Sequence, residues 1–134
     1  MLWNKTYGGA VAETPFSLIK TIDGGYGIAG RTYSYGAGEQ DFWFITTDSA
    51  GNMLINQTYG GEFSEIAHTI IQTSDGGYAI AGITASFGQG ENDFWLIKTD
   101  QNGIIPEFPS WTPIVFFTIL LTATSLIFKR KLKK

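Results

Sequence analysis

The sequence predicts an all-β fold of two four-stranded repeats followed by one apolar α-helix, and three observations carry that reading. Asp23-Gly24-Gly25-Tyr26-Gly27-Ile28-Ala29-Gly30 returns as Asp75-Gly76-Gly77-Tyr78-Ala79-Ile80-Ala81-Gly82, an offset of 52 residues that needs no gap. The same offset links Tyr7-Gly8-Gly9 to Tyr59-Gly60-Gly61, Asp41-Phe42-Trp43 to Asp93-Phe94-Trp95, and Thr47-Asp48 to Thr99-Asp100. Roughly half the aligned positions are identical, the signature of an internal duplication. A 15% aromatic content and 17 glycines suit short strands and frequent turns. Finally, residues 111–128 run without a charge and are followed by Lys129-Arg130-Lys131-Leu132-Lys133-Lys134.

Within one period the expected strands cover about 17–22, 26–34, 42–47 and 53–59. Asp23-Gly24-Gly25 signals a tight hairpin between the first two, because glycine supplies positive φ without a steric cost. Asp48-Ser49-Ala50-Gly51 and Asp100-Gln101-Asn102-Gly103 follow the third strand, with Asp as turn cap and Gly as left-handed residue. Tyr35-Gly36-Ala37-Gly38-Glu39-Gln40 is a longer, exposed connection. Phe42-Trp43-Phe44-Ile45 leaves no polar face, so its sheet is expected to be covered on both sides. A four-stranded repeat of about 50 residues stacked face to face is a β-propeller blade. A solenoid of the same repeats is the competing architecture.

The expected organisation is therefore tandem repeats over 1–105, a linker over 106–110, a membrane helix over 111–128 and a basic tail over 129–134. Residues 2–7 are expected as an outer strand, followed by units over 8–59 and 60–103, the second lacking its own last strand. That leading strand would complete the last blade, but two blades do not close a ring. Several chains assemble, or the chain is the C-terminal piece of a longer protein; residues 1–6 have no apolar segment of a secretion signal, which favours the second. Unpaired strand edges are expected sites of self-association.

Charge is divided. Residues 1–110 hold Lys5, Lys20, Arg31 and Lys98 against all 12 acids, whereas the tail is purely basic. An acidic repeat region makes a poor nucleic-acid partner, since phosphate contacts need Lys and Arg. A basic cluster after an apolar run is a membrane-topology signal that places the C-terminus in the cytoplasm and the repeats outside. At about 1.5 Å per residue, 111–128 would reach about 27 Å as a helix, enough for a thin bilayer, with membrane lipid as its partner. With no cysteine, neither disulfides nor thiolate metal sites arise.

Pro106-Glu107-Phe108-Pro109, the apolar run and the basic terminus, in that order, resemble the PEF-CTERM sorting signal of archaeal surface proteins. The resemblance implies processing by an archaeosortase-type enzyme near Pro106, Glu107 and Phe108, with transfer to a surface anchor. The Asp-Gly-Gly-Tyr and Asp-Phe-Trp blocks separately resemble those of long archaeal and bacterial β-propeller-like surface proteins.

Other candidate residues divide clearly. Asn4-Lys5-Thr6 and Asn56-Gln57-Thr58 are N-glycosylation sequons at equivalent repeat positions. Asp23, Asp41, Asp48, Asp75, Asp93 and Asp100 recur with the repeat, which argues for structural roles over a catalytic pair. Asp41 and Asp93, with Glu39 and Glu91, are oxygen donors for a hard cation, but EF-hand spacing is absent and no metal site is assigned. His68, whose counterpart is Phe16, stands without a nucleophile motif, and Trp43 and Trp95 read as packing residues. No catalytic residue and no cofactor is assigned. The expectation is a non-enzymatic cell-surface protein for adhesion, ligand binding or envelope structure. Its alternatives are a glycan-active enzyme whose catalytic blades lie outside this chain, and an oligomerising scaffold.

Overall fold

The computed structural model describes residues 2–107; Phe108, the apolar stretch and the basic terminus lie outside the described residues. The described residues are all-β, with seven strands in two antiparallel sheets. Sheet one runs β1 (Glu13–Lys20), β2 (Tyr26–Thr32), β3 (Asp41–Thr47) and β4 (Met53–Tyr59) in that order. Sheet two runs β5 (Glu65–Gln72), β6 (Tyr78–Thr84) and β7 (Asp93–Thr99), so among the described residues the second unit has three strands where the first has four.

The first strand of each unit begins earlier than its apolar pattern suggests. Glu13 and Thr14 already pair with Thr32 and Arg31, and a bulge between Pro15 and Ser17 absorbs Phe16. The same bulge between Ala67 and Thr69 absorbs His68. A bulge breaks the alternation on which sequence reading depends. The strand then stops at Lys20, because residues 21–25 form a wider loop than a two-residue hairpin: Thr21 N donates to Gly25 O at 3.0 Å and Gly24 N to Thr21 O at 3.0 Å. Gly24 supplies the expected positive φ (89°). β2 ends at Thr32, whose hydroxyl draws the chain into a turn by accepting from Ser34 N (3.0 Å) and Tyr35 N (3.3 Å).

The 48–52 turn is as expected. Asp48 Oδ1 accepts from Ala50 N (2.9 Å) and Asn52 N (2.8 Å), and Gly51 takes φ 77°. Asp100 repeats it, accepting from Asn102 N (2.9 Å) and Ile104 N (2.8 Å), with Gly103 at φ 75°.

The sheets stack face to face. Phe42, Phe44, Ala29 and Tyr59 of sheet one form a common core with Ala67, Ile70, Tyr78, Ile80 and Ile97 of sheet two. Phe44 meets Tyr78 with ring centroids 4.8 Å apart, and Phe42 meets Trp95 at 4.9 Å. Every residue of β3 is buried. Residues 2–7, expected as an outer strand, join no ladder; they lie along sheet one, with Trp3 Nε1 donating to Ser49 O (3.1 Å) and Tyr7 OH to Gly51 O (2.8 Å).

Candidate functional site

Three places gather polar or unfilled chemistry: the junction between the repeats, the outer face of sheet one, and the β4 edge. At the junction, Glu65 is fully buried and its carboxylate is well satisfied. Oε1 accepts from Thr84 Oγ1 (2.8 Å) and Ser86 N (3.0 Å), and Oε2 from Gly61 N (2.9 Å). Asp41 is also buried, with Oδ2 accepting from Gly38 N (3.2 Å) while Oδ1 has no hydrogen-bond partner. Both carboxylates press on Gly60: a Cβ there would fall within the van der Waals shell of Asp41 Oδ1 and 2.5 Å from Glu65 Oε2. Glycine at 60 is what lets the two acids share one junction.

Glu39, named with Asp41 as an oxygen donor though no metal site was assigned, accepts from Ser64 Oγ at 3.1 Å through Oε2. Across the junction Asp41 and Glu65 both face Gly60, a juxtaposition that spacing in sequence does not reveal. Asp93 repeats Asp41's loop contact, Oδ2 accepting from Gln89 N (3.0 Å) and Gly90 N (3.1 Å). Among the described residues no group of three or more His, Cys, Asp or Glu is placed to hold a metal ion.

The turn acids behave as caps. The Thr21 hydroxyl beside Asp23 holds its carboxyl below the usual range, as the Asn52 side chain does for Asp48 and the Ile104 N–H for Asp100. Asp75 is lowered most, by Lys98, whose Nζ lies 2.8 Å from Oδ2. His68 packs beside Phe16 (5.4 Å), and the Arg31 guanidinium covers Phe16 at 5.8 Å and Tyr33 at 5.5 Å.

On the outer face of sheet one an open pocket of about 200 Å³ is lined by Tyr7, Glu13, Pro15, Ile28, Trp43 and Ile45. The repeat equivalents of Ile28, Trp43, Ile45 and Tyr7 are Ile80, Trp95, Ile97 and Tyr59, all in or against the core between the sheets. The pocket is therefore the same surface as that core, left open. Trp43 packs within it, its Nε1 donating to Asn56 Oδ1 at 2.7 Å and its ring 5.8 Å from Tyr35.

Asn4 and Asn56, the sequon asparagines, are both exposed, Asn56 on the edge strand β4. Pro106 and Glu107 are exposed and follow β7 without regular structure, while Phe108 lies outside the described residues. Among the described residues no helix is long and apolar enough to cross a membrane; the expected span at 111–128 lies beyond them. No protein-family model matches the chain, and no curated protein matches it.

Proposed function

We propose that the chain is a cell-surface-anchored, non-enzymatic β-repeat protein whose sheets are propeller-type blades and whose role is adhesion, ligand binding or envelope structure. The observation that carries the anchor is the order Pro106-Glu107-Phe108, eighteen uncharged residues, and five positive charges in the last six. Membrane lipid is the partner of the apolar stretch, and an archaeosortase-type enzyme is the partner of the Pro-Glu-Phe motif. The blade reading draws support from the 52-residue period, the face-to-face stacking and a central strand buried throughout.

The non-enzymatic role draws support from how the acids are used. Asp48 and Asp100 cap equivalent turns, Asp23 and Asp75 brace equivalent hairpins, and Glu13 accepts from Thr32 Oγ1 (3.2 Å) as Glu65 does from Thr84. Groups placed by duplication and committed to backbone donors are scaffold chemistry. Intact mass of the mature protein, isolated from its own membrane, tests the anchor. Loss of the residues beyond the motif, with an added lipid or other mass, is the expected result. Retention of Lys129–Lys134 in membrane-bound protein would overturn processing, and recovery of the intact chain free of membrane would overturn anchoring altogether.

A further inference from the structure

The two outer faces of this molecule are copies of the two faces already buried at its centre. Sheet one turns Phe42, Phe44 and Tyr59 inward, and sheet two meets them with Ile70, Tyr78, Ile80 and Trp95. Moved by 52 residues, Phe42 and Phe44 become Phe94 and Leu96, while the position equivalent to Tyr59 lies outside the described residues, among which sheet two has three strands. Phe42 is fully buried and Phe94 is 99% exposed; Phe44 is fully buried and Leu96 is 71% exposed. Moved the other way, the second set becomes Leu18, Tyr26, Ile28 and Trp43 on the outer face of sheet one; Trp43 is already buried there, but Leu18 is 63% exposed against 2% for Ile70. Isolated exposed apolar side chains are ordinary, but a face whose every repeat equivalent is core is an interface.

The leading segment fits the same scheme. β4 does two things at once: its backbone pairs with β3, and its Tyr59 hydroxyl reaches across to Gly103 O of the next unit at 2.5 Å. Residues 2–7 make the equivalent of the second contact, Tyr7 OH to Gly51 O at 2.8 Å, and are tied to the same turn by Trp3 and Lys5, but they form no strand. The outer edge of β7, meanwhile, carries no ladder among the described residues. Even the junction is prepared: a Cβ on Gly8 would lie 2.5 Å from Glu13 Oε2, as one on Gly60 would from Glu65 Oε2.

We propose that a second copy of this chain docks head to tail, the exposed face of its sheet two stacking on the open face of sheet one while residues 2–7 of the first copy pair with β7 of the second as its missing fourth strand. The register follows from β3 and β4. Phe42 pairs with Tyr59, Phe44 with Gln57 and Thr46 with Ile55, so Phe94 pairs with Tyr7, Leu96 with Lys5 and Lys98 with Trp3 of the other copy. This contact is heterologous: it forms a ring if its rotation closes and a filament if it does not. It rests on the repeat geometry and is independent of the surface anchor.

The absence of cysteine makes a clean test possible. Full-length Lys5→Cys and Leu96→Cys variants, each with one thiol, are mixed in mild detergent and oxidised, and the products are read on a non-reducing gel. Paired antiparallel residues sit about 4.5–5.5 Å apart at Cα, within disulfide reach. The expected result is a mixed Lys5→Cys/Leu96→Cys dimer that exceeds either variant oxidised alone. Light scattering of the cysteine-free protein should give a multimer, and Phe94→Asp, at a fully exposed site, should return it to monomer with unchanged circular dichroism. A monomeric wild-type chain would overturn the proposal. So would a multimer that yields no mixed disulfide, or one in which Leu96→Cys links chiefly to itself, the mark of a symmetric face-to-face contact.

Discussion

Gly60 decides more than its size suggests. The backbone there runs against Asp41 and Glu65, so a methyl group must displace a buried carboxylate or shift the strand that carries it. Overpacking of this kind costs about 1–3 kcal/mol. Gly60→Ala is therefore expected to lower unfolding stability by that amount in urea titration, whereas a change below about 0.5 kcal/mol would mean that the junction is loose. The duplicated Gly-Gly pair was legible as repeat; its reason was not. Glu39 stands two residues from Asp41, yet its side chain turns to Ser64. Glu65 reaches Asp41 only because the parallel bridge between Gln40 and Ser64, with Glu65 N donating to Gln40 O at 2.7 Å, draws the units together. A contact made by stacking has no trace in local spacing.

At the scale of the strand, β3 and β7 carry nearly the same seven residues, DFWFITT and DFWLIKT, and meet different surroundings. β3 is buried throughout because a sheet covers one face and residues 2–7 line the other; β7 alternates because only one of its faces is covered. Strand positions were readable to within a few residues at β2, β3 and β4, where the one register shift falls at the end of the β3–β4 ladder, beside the turn that Asp48 and Gly51 mark. They drifted at β1 and β5, where each bulge carries an extra residue through the alternation. The two-sided burial of β3 was readable in its unbroken apolar run, whereas the open face of β7 was not, since it depends on what lies beyond the repeat. The pair therefore supports a direct comparison. Phe42→Ala removes a fully buried ring that touches Trp95, and truncations of this kind cost about 3–5 kcal/mol. Phe94→Ala, at the equivalent but exposed position, should stay within about 0.5 kcal/mol when measured on the isolated monomer. Equal losses at both sites would show that sheet two is covered in solution even in the monomer.

For the molecule as a whole, two sets of groups bound the pH range of stability from opposite sides. The carboxyls of Asp23, Asp48, Asp75 and Asp100 are all held below their ordinary range by turn donors and Lys98, so their contribution is complete above about pH 4–5 and is lost as pH falls through their folded values. Burial pushes the Tyr59 phenol well above its ordinary value, assisted by the charge on Asp100, and pushes Tyr78 in the same direction. A raised pKa contributes stability that is complete below about pH 10, where the unfolded phenol is neutral, and that is lost as pH rises beyond it. The melting temperature should therefore hold a plateau between about pH 5 and 9 and fall on both sides. Tyr59→Phe separates the two limbs. It removes the hydrogen bond to Gly103 O, lowering the unfolding free energy on the plateau by about 0.5–1.5 kcal/mol and the melting temperature with it, and takes the buried phenol out of the alkaline transition. The acid limb should keep its midpoint while the alkaline limb becomes shallower. An alkaline limb unchanged in Tyr59→Phe would place the base-sensitive group elsewhere, and would mean that the bond tying β4 to the next unit is not what alkali breaks.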